Sequence, residues 1–310
     1  MRVDEEVPAA LDGERLDRIV SIIADISRSD SSALIEAGGA WVDGVPAPSG
    51  KVRLVAGQSV TVDLSMVPVE APPGPDPSVH IDVVYSDDQI VVINKAVGQV
   101  VHPAPGHSGG TIVNGLLAAY PDIATVGESH RPGIVHRLDA GTSGLMVVAR
   151  TQHAYESLVG DLSRHDVVRE YLALAWGRFE SVSQVVDAAI GRDPRDPMKM
   201  AVVHEGKWAR TRVELERQFD EPVDLALVRC SLETGRTHQI RVHLAAIGHP
   251  VVGDSTYGGA RNALRAARPM LHAAKLELRH PTTGHTMSWE VPMPPDMSSV
   301  LEGLSISGHD

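Results

Sequence analysis

The proline-rich segment APPGPDPS, residues 71–78, constrains the fold of this 310-residue chain more than any other stretch. It has four prolines in eight residues. Proline lacks a backbone N–H and fixes φ, so this segment cannot join a helix or a central strand. We therefore expect a linker over residues 71–78, between a head of residues 1–70 and a main domain of residues 79–305.

The head has the pattern of a small α/β module. Apolar residues recur at helical spacing across residues 15–37, in two pieces broken near Ser27–Asp30, where serine and aspartate suit a helix N-cap. Residues 40–64 then alternate like short strands, with turns at Asp43-Gly44 and at Gly57. This order predicts two helices followed by a small hairpin.

The main domain is dominated by short strand-like runs with helical patterns between them. This is not a regular βαβ alternation and shows no internal repeat, so we predict an α+β domain. The chain contains neither GxxxxGK[ST] nor GxGxxG, and nucleoside-triphosphate or dinucleotide chemistry is unsupported. The predicted strands are 83–85, 90–93, 134–138, 145–149, 171–176 and 223–231, and the predicted helices are 111–119 and 153–163.

The charge of the chain is unevenly distributed. The net charge of −12 argues against a nucleic-acid partner when it is taken globally, because phosphate binding needs cations. Residues 1–65 hold six Lys/Arg against eleven Asp/Glu, whereas residues 229–279 hold eight against three. The sequence therefore permits a basic face on an acidic protein.

Cysteine content and apolar runs indicate the compartment. Cys230 is the single cysteine, which excludes an internal disulfide and a cysteine-based metal site. The longest apolar runs are too short for a membrane span, and the acidic N-terminus lacks a secretion signal. We expect a cytoplasmic protein without a membrane partner.

A carboxylate interrupts two apolar runs in GIVHRLDAGTSGLMVVAR, residues 133–150. If residues 134–139 are extended, Arg137 and Asp139 point to one side and His136 and Leu138 to the other. Two interpretations are open: Asp139 caps the turn that follows, or it is held there for chemistry. Ser143 in this turn does not form a G-x-S-x-G elbow, so a serine nucleophile is disfavoured.

A second stretch, LETGRTHQIRVHLAAIGHP at residues 232–250, predicts a helix with Thr237 as its N-cap and a stop at Gly248. Arg241, one turn into this helix, can reach a carboxylate held by the sheet and keep it ionised. His238 and His243 are five residues apart and do not share a helix face, so we predict no metal site.

Several spaced motifs together resemble the RluA/RluD family of RNA pseudouridine synthases, most closely the RluD type. They are HRLDAGTSGL (136–145), RTHQIRVHL (236–244) followed by GHP and GDSTYG, NKAVGQVVHP (94–103) and REYLALAWG (169–177). Ala96 stands where the family has proline. The head is similar to an S4 RNA-binding module in RLDRIV, SRSD and LIEAGGAWVDG, although Asp30 and Glu36 dilute its positive charge.

The resemblance implies a pseudouridine-synthase domain with a mixed, largely antiparallel sheet and flanking helices. Asp139 would be the catalytic group, either as nucleophile at ribose C1′ or as a base on the sugar. Arg241 would pair with it, Tyr171 would pack against the uracil, and Arg137 would fill the gap left by the flipped nucleotide. The other implied RNA contacts are Lys199, Lys207, Arg210, Arg212 and Arg236, with Arg28, Lys51 and Arg53 on the head, while Trp208 either stacks on a base or lies in the core.

The implied reaction isomerises uridine to pseudouridine and needs neither a cofactor nor a metal. The expected substrate is a stem-loop uridine of 23S ribosomal RNA, the large-subunit RNA, and we expect a monomer. Two alternatives stay open: a synthase that acts on transfer RNA, and a non-catalytic RNA-binding or ribosome-assembly protein.

Overall fold

The chain divides into two compact units, Met1–Ala71 and Pro72–Asp310. The structure is a computed structural model that describes residues 1–26, 28–67, 72–103 and 109–304. The division falls inside the proline-rich segment. Residues 74 and 76 of that segment bond to Asn114, whose amide donates to the Gly74 carbonyl at 2.7 Å and whose carbonyl accepts from the Asp76 N–H at 2.9 Å.

The first unit is a small antiparallel sheet with two helices. The sheet has the strand order β1-β4-β2-β3, and Leu16, Ile19 and Val20 of the first helix are buried in the core of the unit. Its elements are β1 (Arg2–Glu6), α1 (Leu16–Ala24), α2 (Arg28–Glu36), β2 (Ala40–Val42), β3 (Val45–Pro46) and β4 (Ser59–Asp63).

Both predicted helices of the head are present, and α2 begins at Arg28. Ser27, a candidate for its cap, lies outside the described residues. The turn predicted at Asp43-Gly44 is also present, with φ of 49° and 76°, and joins β2 to β3. Strand β1 was not predicted, because its sequence RVDEE has no apolar alternation; it lies at the sheet edge, where charged side chains face water.

The second unit is built on a nine-stranded sheet flanked by helices. Its elements are β5 (Val83–Ser86), β6 (Ile90–Lys95), α3 (Ile112–Ala119), β7 (Ser143–Ala149), α4 (Gln152–Ser163), β8 (Val168–Trp176), β9 (Ser183–Asp187), β10 (Ile190–Arg192), β11 (Met200–Val202), β12 (Arg210–Phe219), β13 (Leu225–Leu232), α5 (Gln239–Ala246), β14 (Leu271–Arg279), β15 (Thr286–Glu290) and α6 (Pro295–Glu302).

The strand order is β5-β6-β7-β14-β8-β13-β12-β9, with β15 on β14 and with β10 and β11 as a separate hairpin. Within the described residues, the strands pair antiparallel except for β7 and β14. The predicted α+β class with a largely antiparallel sheet is therefore confirmed. No helix in the described ranges has both the length and the apolar character that a membrane crossing requires.

The parallel junction of β7 and β14 depends on Gly144. Its φ is +112°, and a Cβ at this position would lie 2.2 Å from the Ala273 carbonyl oxygen. Only glycine allows the two backbones to approach this closely. The junction fixes the start of β7 and therefore the loop that immediately precedes it.

The strand predicted at residues 134–138 is wrong. Ile134 alone forms a bridge, to Val148, and the following residues are irregular. The Val147 N–H of β7 is satisfied by a side chain and not by a neighbouring strand: it donates to His136 Nε2 at 3.1 Å. Arg137 and Asp139 therefore extend from a loop and not from one face of a strand.

The N-cap predicted at Thr237 is also wrong. Helix α5 begins at Gln239, and its N-cap is His238 in the left-handed conformation. The predicted stop at Gly248 is present, with φ of 88°.

Candidate active site

Asp139 lies at the wall of a pocket of about 550 Å³ in the second unit. Its side chain is 22 % exposed, and its Oδ2 accepts a hydrogen bond from Arg241 Nη1 at 3.0 Å. The loop is closed by the Thr142 N–H, which donates to the Asp139 carbonyl at 3.0 Å. The predicted contact between Arg241 and Asp139 is therefore present, although Asp139 is carried by a loop.

Arg241 is fixed in place by a second carboxylate, Asp254. Its Nε and Nη2 donate to the two oxygens of Asp254 at 2.6 and 2.9 Å, and Asp254 is fully buried. Burial acts to lower the pKa of Arg241, but the hydrogen bonds and charges of Asp254 and Asp139 outweigh it and raise that pKa. The guanidinium stays charged, and its third donor, Nη1, is aimed at Asp139.

Asp254 belongs to the GDSTYG motif, and its role was not predicted from the sequence. Its Oδ1 also accepts the N–H groups of Thr256 and Tyr257 at 3.0 and 3.2 Å. The preceding Gly253 has φ of 80°, and a Cβ there would lie 2.0 Å from the Arg268 carbonyl. The sequence did carry a signal similar to that of Asp139: a carboxylate that closely follows apolar residues and has a glycine within two positions.

Lys95 is hydrogen-bonded to the loop that carries Asp139 and to the residues that follow β6. It is 1 % exposed, and its Nζ donates to the carbonyls of Ala96, Gln99 and Ala140 at 3.0, 2.8 and 3.1 Å. Burial lowers its pKa to about 8, against the opposing charge of Asp139. This lysine lies in the NKAVGQVVHP motif, but sequence reasoning assigned it no role.

His238 faces the second oxygen of Asp139. Its Nε2 lies 3.9 Å from Asp139 Oδ1, and its Nδ1 shares a hydrogen bond of 2.8 Å with the Tyr257 hydroxyl. Its φ of 58° is costly for a residue with a side chain. Burial, more than the nearby charges, lowers the pKa of His238.

Tyr171 and Arg169 form another part of the pocket wall. They are two residues apart on β8, both are buried, and both line the pocket. Burial raises the pKa of the Tyr171 hydroxyl, while the charge of Arg169 acts to lower it. A neutral phenol ring in the wall is suited to packing against a flat base.

The charge of the lining differs from that of the whole chain. Asp139 is its single carboxylate within the described residues, against five arginines: Arg131, Arg137, Arg169, Arg236 and Arg241. Arg131 is paired with Glu128 and Arg241 with Asp254. The other three have no carboxylate within 4 Å in the part of the chain that is described.

Two of the predicted RNA contacts, Arg137 and Arg236, line this pocket. Trp208 lies there too, 44 % exposed, with its indole N–H on Asp187, so it is not a core residue. Lys199, Lys207, Arg210 and Arg212 lie outside the lining; Lys199 pairs with Asp196, and Arg210 with Glu233. Arg28 and Lys51 belong to the first unit, where Arg28 lies 3.6 Å from Asp17.

No group of three or more His, Cys, Asp or Glu side chains in the described ranges is arranged to hold a metal ion. Asp139 and Asp254 are both engaged by Arg241. The arrangement presents one carboxylate, hydrogen-bonded to Arg241, beside a buried tyrosine in a pocket lined by five arginines.

The comparisons with known proteins agree with the motifs. A family model described as RNA pseudouridylate synthase matches residues 89–246. An "Uncharacterized RNA pseudouridine synthase" of Chloroflexus aurantiacus is 47% identical over 304 residues, covering 96% of this chain and 92% of that protein. "Ribosomal large subunit pseudouridine synthase D" of Neisseria meningitidis is 41% identical over 318 residues, covering 98% of this chain and 82% of that protein.

Solved structures extend the likeness to the fold. The structure of human RNA Pseudouridylate Synthase Domain Containing 1 is 29% identical with a TM-score of 0.58, and the match covers 74% of this chain and 90% of that one. The family resemblance predicted from the motifs is thus confirmed. The chain belongs to the RNA pseudouridylate synthase family of isomerases.

Proposed function

We propose that this enzyme converts uridines of large-subunit ribosomal RNA into pseudouridine, with Asp139 as its catalytic carboxylate. One observation carries the proposal: Asp139 is the lone carboxylate, in the described residues, of a pocket with five arginines. The ribosomal substrate is supported by the names of several relatives at about 40% identity, among them those of Neisseria meningitidis and Nitrosomonas europaea.

Asp139 lies in the wall of a pocket, so the target uridine would have to be flipped out of its base stack to reach it. Extrusion costs a few kcal/mol and is cheapest for an unpaired loop uridine. Arg137 would fill the gap left by the flipped nucleotide, and Arg236, also at the pocket, would contact phosphate; the two together would offset this cost. Lys199, Lys207 and Arg210 would contact the RNA farther from the target.

The ribose would lie against Asp139, and the uracil against Tyr171. Arg241 holds one carboxylate oxygen, Oδ2, and leaves Oδ1 toward His238 and the pocket. Oδ1 is therefore the oxygen that would react with the ribose, either as a nucleophile at C1′ or as a base that removes a proton from the sugar. Residues 1–71 would act as an S4-like module that helps to hold the RNA, and the unit from residue 72 would carry the reaction.

The test is carbodiimide-adduct primer extension on unmodified ribosomal and transfer RNA. Wild type and Asp139→Asn are compared without added metal or nucleotide. We expect stops on large-subunit RNA with wild type alone, and a melting temperature of Asp139→Asn close to that of wild type. Stops from both proteins would overturn the role of Asp139, and stops on transfer RNA alone would overturn the ribosomal substrate.

A further inference from the structure

Arg169 is a buried cation that the pocket leaves without a counter-charge. It is 7 % exposed and lines the pocket, and no carboxylate of the described residues lies within 4 Å of it. Its Nη2 donates to the Glu233 carbonyl at 3.4 Å, which is a weak contact, and its Nε has no protein partner in the described chain. A charge buried in this way is costly unless something else satisfies it.

The surroundings make room for the guanidinium and do not neutralise it. A Cβ at Gly235 would lie 2.8 Å from Arg169 Nη1, so this glycine leaves space above the group. Desolvation lowers the pKa of Arg169, and His136 is held neutral by burial with the arginine's charge as a second cause. An arginine stays protonated in proteins even so.

Arg169 also has a defined position relative to the reacting groups. It lies two residues before Tyr171 on the same face of β8, close enough for the two groups to interact electrostatically. Under the proposed function, Tyr171 faces the uracil and Asp139 faces the ribose. Arg169 then lies on the uracil side of the pocket.

The proposed reaction creates negative charge on that side. Breaking the C1′–N1 bond leaves its electron pair on the uracil, where it spreads over N1, O2 and O4. The ring then turns, C5 forms the new bond to C1′, the C5 proton is lost and N1 takes up a proton. The overall reaction is an isomerisation. Its intermediate is a detached uracil anion whether Asp139 acts as a nucleophile at C1′ or as a base on the sugar.

We propose that Arg169 is the group that stabilises this detached uracil anion, through its charge and its unused N–H donors. A fixed donor in a site of low dielectric is most effective where charge develops, because it needs no reorganisation at the moment of reaction. The proposal rests on the proposed function and assigns a catalytic residue that the motifs did not single out.

The test is single-turnover kinetics with large-subunit RNA labelled with tritium at uridine C5, which releases the label as the new bond forms. We expect Arg169→Met to lower the rate by about 10²- to 10³-fold, the loss typical of one preorganised donor, and Arg169→Lys to lose less. RNA affinity should stay within threefold. The melting temperature should stay or rise, since an apolar side chain replaces an unpaired buried charge.

Arg236→Met is the matched control, since Arg236 lines the same pocket and is proposed to bind phosphate. It should weaken RNA binding and lower its salt dependence by about one phosphate contact. The same phenotype in Arg169→Met would mean that Arg169 is a phosphate contact and would overturn the proposal.

A second substrate separates charge stabilisation from a structural defect. The uracil of 5-fluorouridine holds negative charge more readily, so its cleavage needs less help from a cation. We expect the defect of Arg169→Met, measured as loss of the target 5-fluorouridine, to shrink at least tenfold relative to uridine. An equal defect on both substrates, or no defect on uridine, would overturn the proposal. An inactive wild type, or an active Asp139→Asn, would instead overturn the proposed function.

Discussion

At the scale of single residues, the site depends on a carboxylate that does not face the substrate pocket. Asp254 accepts four hydrogen bonds, two from Arg241 and two from backbone N–H groups. Of the three guanidinium nitrogens of Arg241, only Nη1 is not engaged by Asp254, and it donates to Asp139. The orientation of Asp139, the proposed catalytic carboxylate, is therefore set through a chain of two ion pairs, Asp254–Arg241 and Arg241–Asp139.

Asp254→Asn should destabilise the protein and slow the reaction together. An amide has one oxygen, so its NH₂ group must face at least one of the donors that Asp254 now satisfies. We expect a loss of about 3 kcal/mol in the free energy of unfolding, measured by urea denaturation. The single-turnover rate should fall about 10²-fold, because Arg241 is no longer fixed.

Asp296→Asn is the control for this prediction. Asp296 binds Arg268 in the same two-bond geometry, at 2.7 and 2.9 Å, but its side chain is 46 % exposed. Its loss should cost less than about 1 kcal/mol and leave the rate unchanged. An equal loss of unfolding free energy in Asp254→Asn and Asp296→Asn would show that the burial of Asp254 is not the source of the destabilisation.

At the scale of elements, the junction between β7 and β14 positions the loop of Asp139. Gly144→Ala places a methyl group 2.2 Å from the Ala273 carbonyl, at a φ that alanine rarely adopts. We expect the variant to lose more than about 3 kcal/mol of stability, or to fail to fold. Gly141→Ala, whose nearest neighbour would be Pro269 Cδ at 3.1 Å, should remain folded and active. Comparable melting temperatures for the two variants would contradict this interpretation.

The predicted RNA contacts of the head can be ranked by their surroundings. Arg28 lies 3.6 Å from Asp17, whereas exposed Lys51 has no ion-pair partner among the described residues. Lys51→Ala should therefore lower the salt dependence of RNA binding by about 0.7 in the log–log slope, and Arg28→Ala by less. A larger effect of Arg28→Ala in filter binding would mean that RNA displaces Asp17 from this arginine.

Sequence reasoning worked where the phase of a helix decides which way a side chain points, and failed where the local backbone is irregular or the contact is made through turns. The helix phase placed Arg241 toward a carboxylate, and this contact is present. The strand predicted at residues 134–138 failed because a side chain, His136, takes the place of a backbone partner. Asp254, His238 and Lys95 were missed because each reaches the site through turns and backbone contacts that residue spacing does not encode.

At the scale of the whole molecule, an acidic chain brings five arginines together in one pocket. The basic window of residues 229–279 supplies Arg236 and Arg241. Arg131, Arg137 and Arg169 come from elsewhere in the chain and reach the pocket only through the fold. Net charge therefore predicted the wrong partner class, and a sliding window found less than half of the arginines.

The fold also holds five half-buried or fully buried histidines that cannot easily accept a proton. Burial lowers the pKa of His136 to about 3, and burial is likewise the first cause of the lowered pKa values of His102, His238, His243 and His272. Below about pH 6.5 these histidines become protonated in the unfolded chain but stay neutral in the folded protein. The unfolded state then binds more protons, so the free energy of unfolding falls as the pH is lowered. The loss continues until the pH passes the folded pKa values.

The pH dependence can be traced to single residues between pH 6.5 and 5, above the range in which most carboxylates titrate. Each histidine that stays neutral in the folded state costs up to about 1.4 kcal/mol per pH unit. The glutamine of His136→Gln can still accept the Val147 N–H through its amide oxygen. We expect this variant to lower the slope of unfolding free energy against pH by about 1.4 kcal/mol per pH unit, the effect of one proton. His153→Gln, the same substitution at an exposed position, is the control for the exchange of histidine for glutamine itself. If urea denaturation gave the same slope for wild type and His136→Gln, the buried imidazole would not be a source of acid sensitivity, and the loss would have to come from the other four histidines.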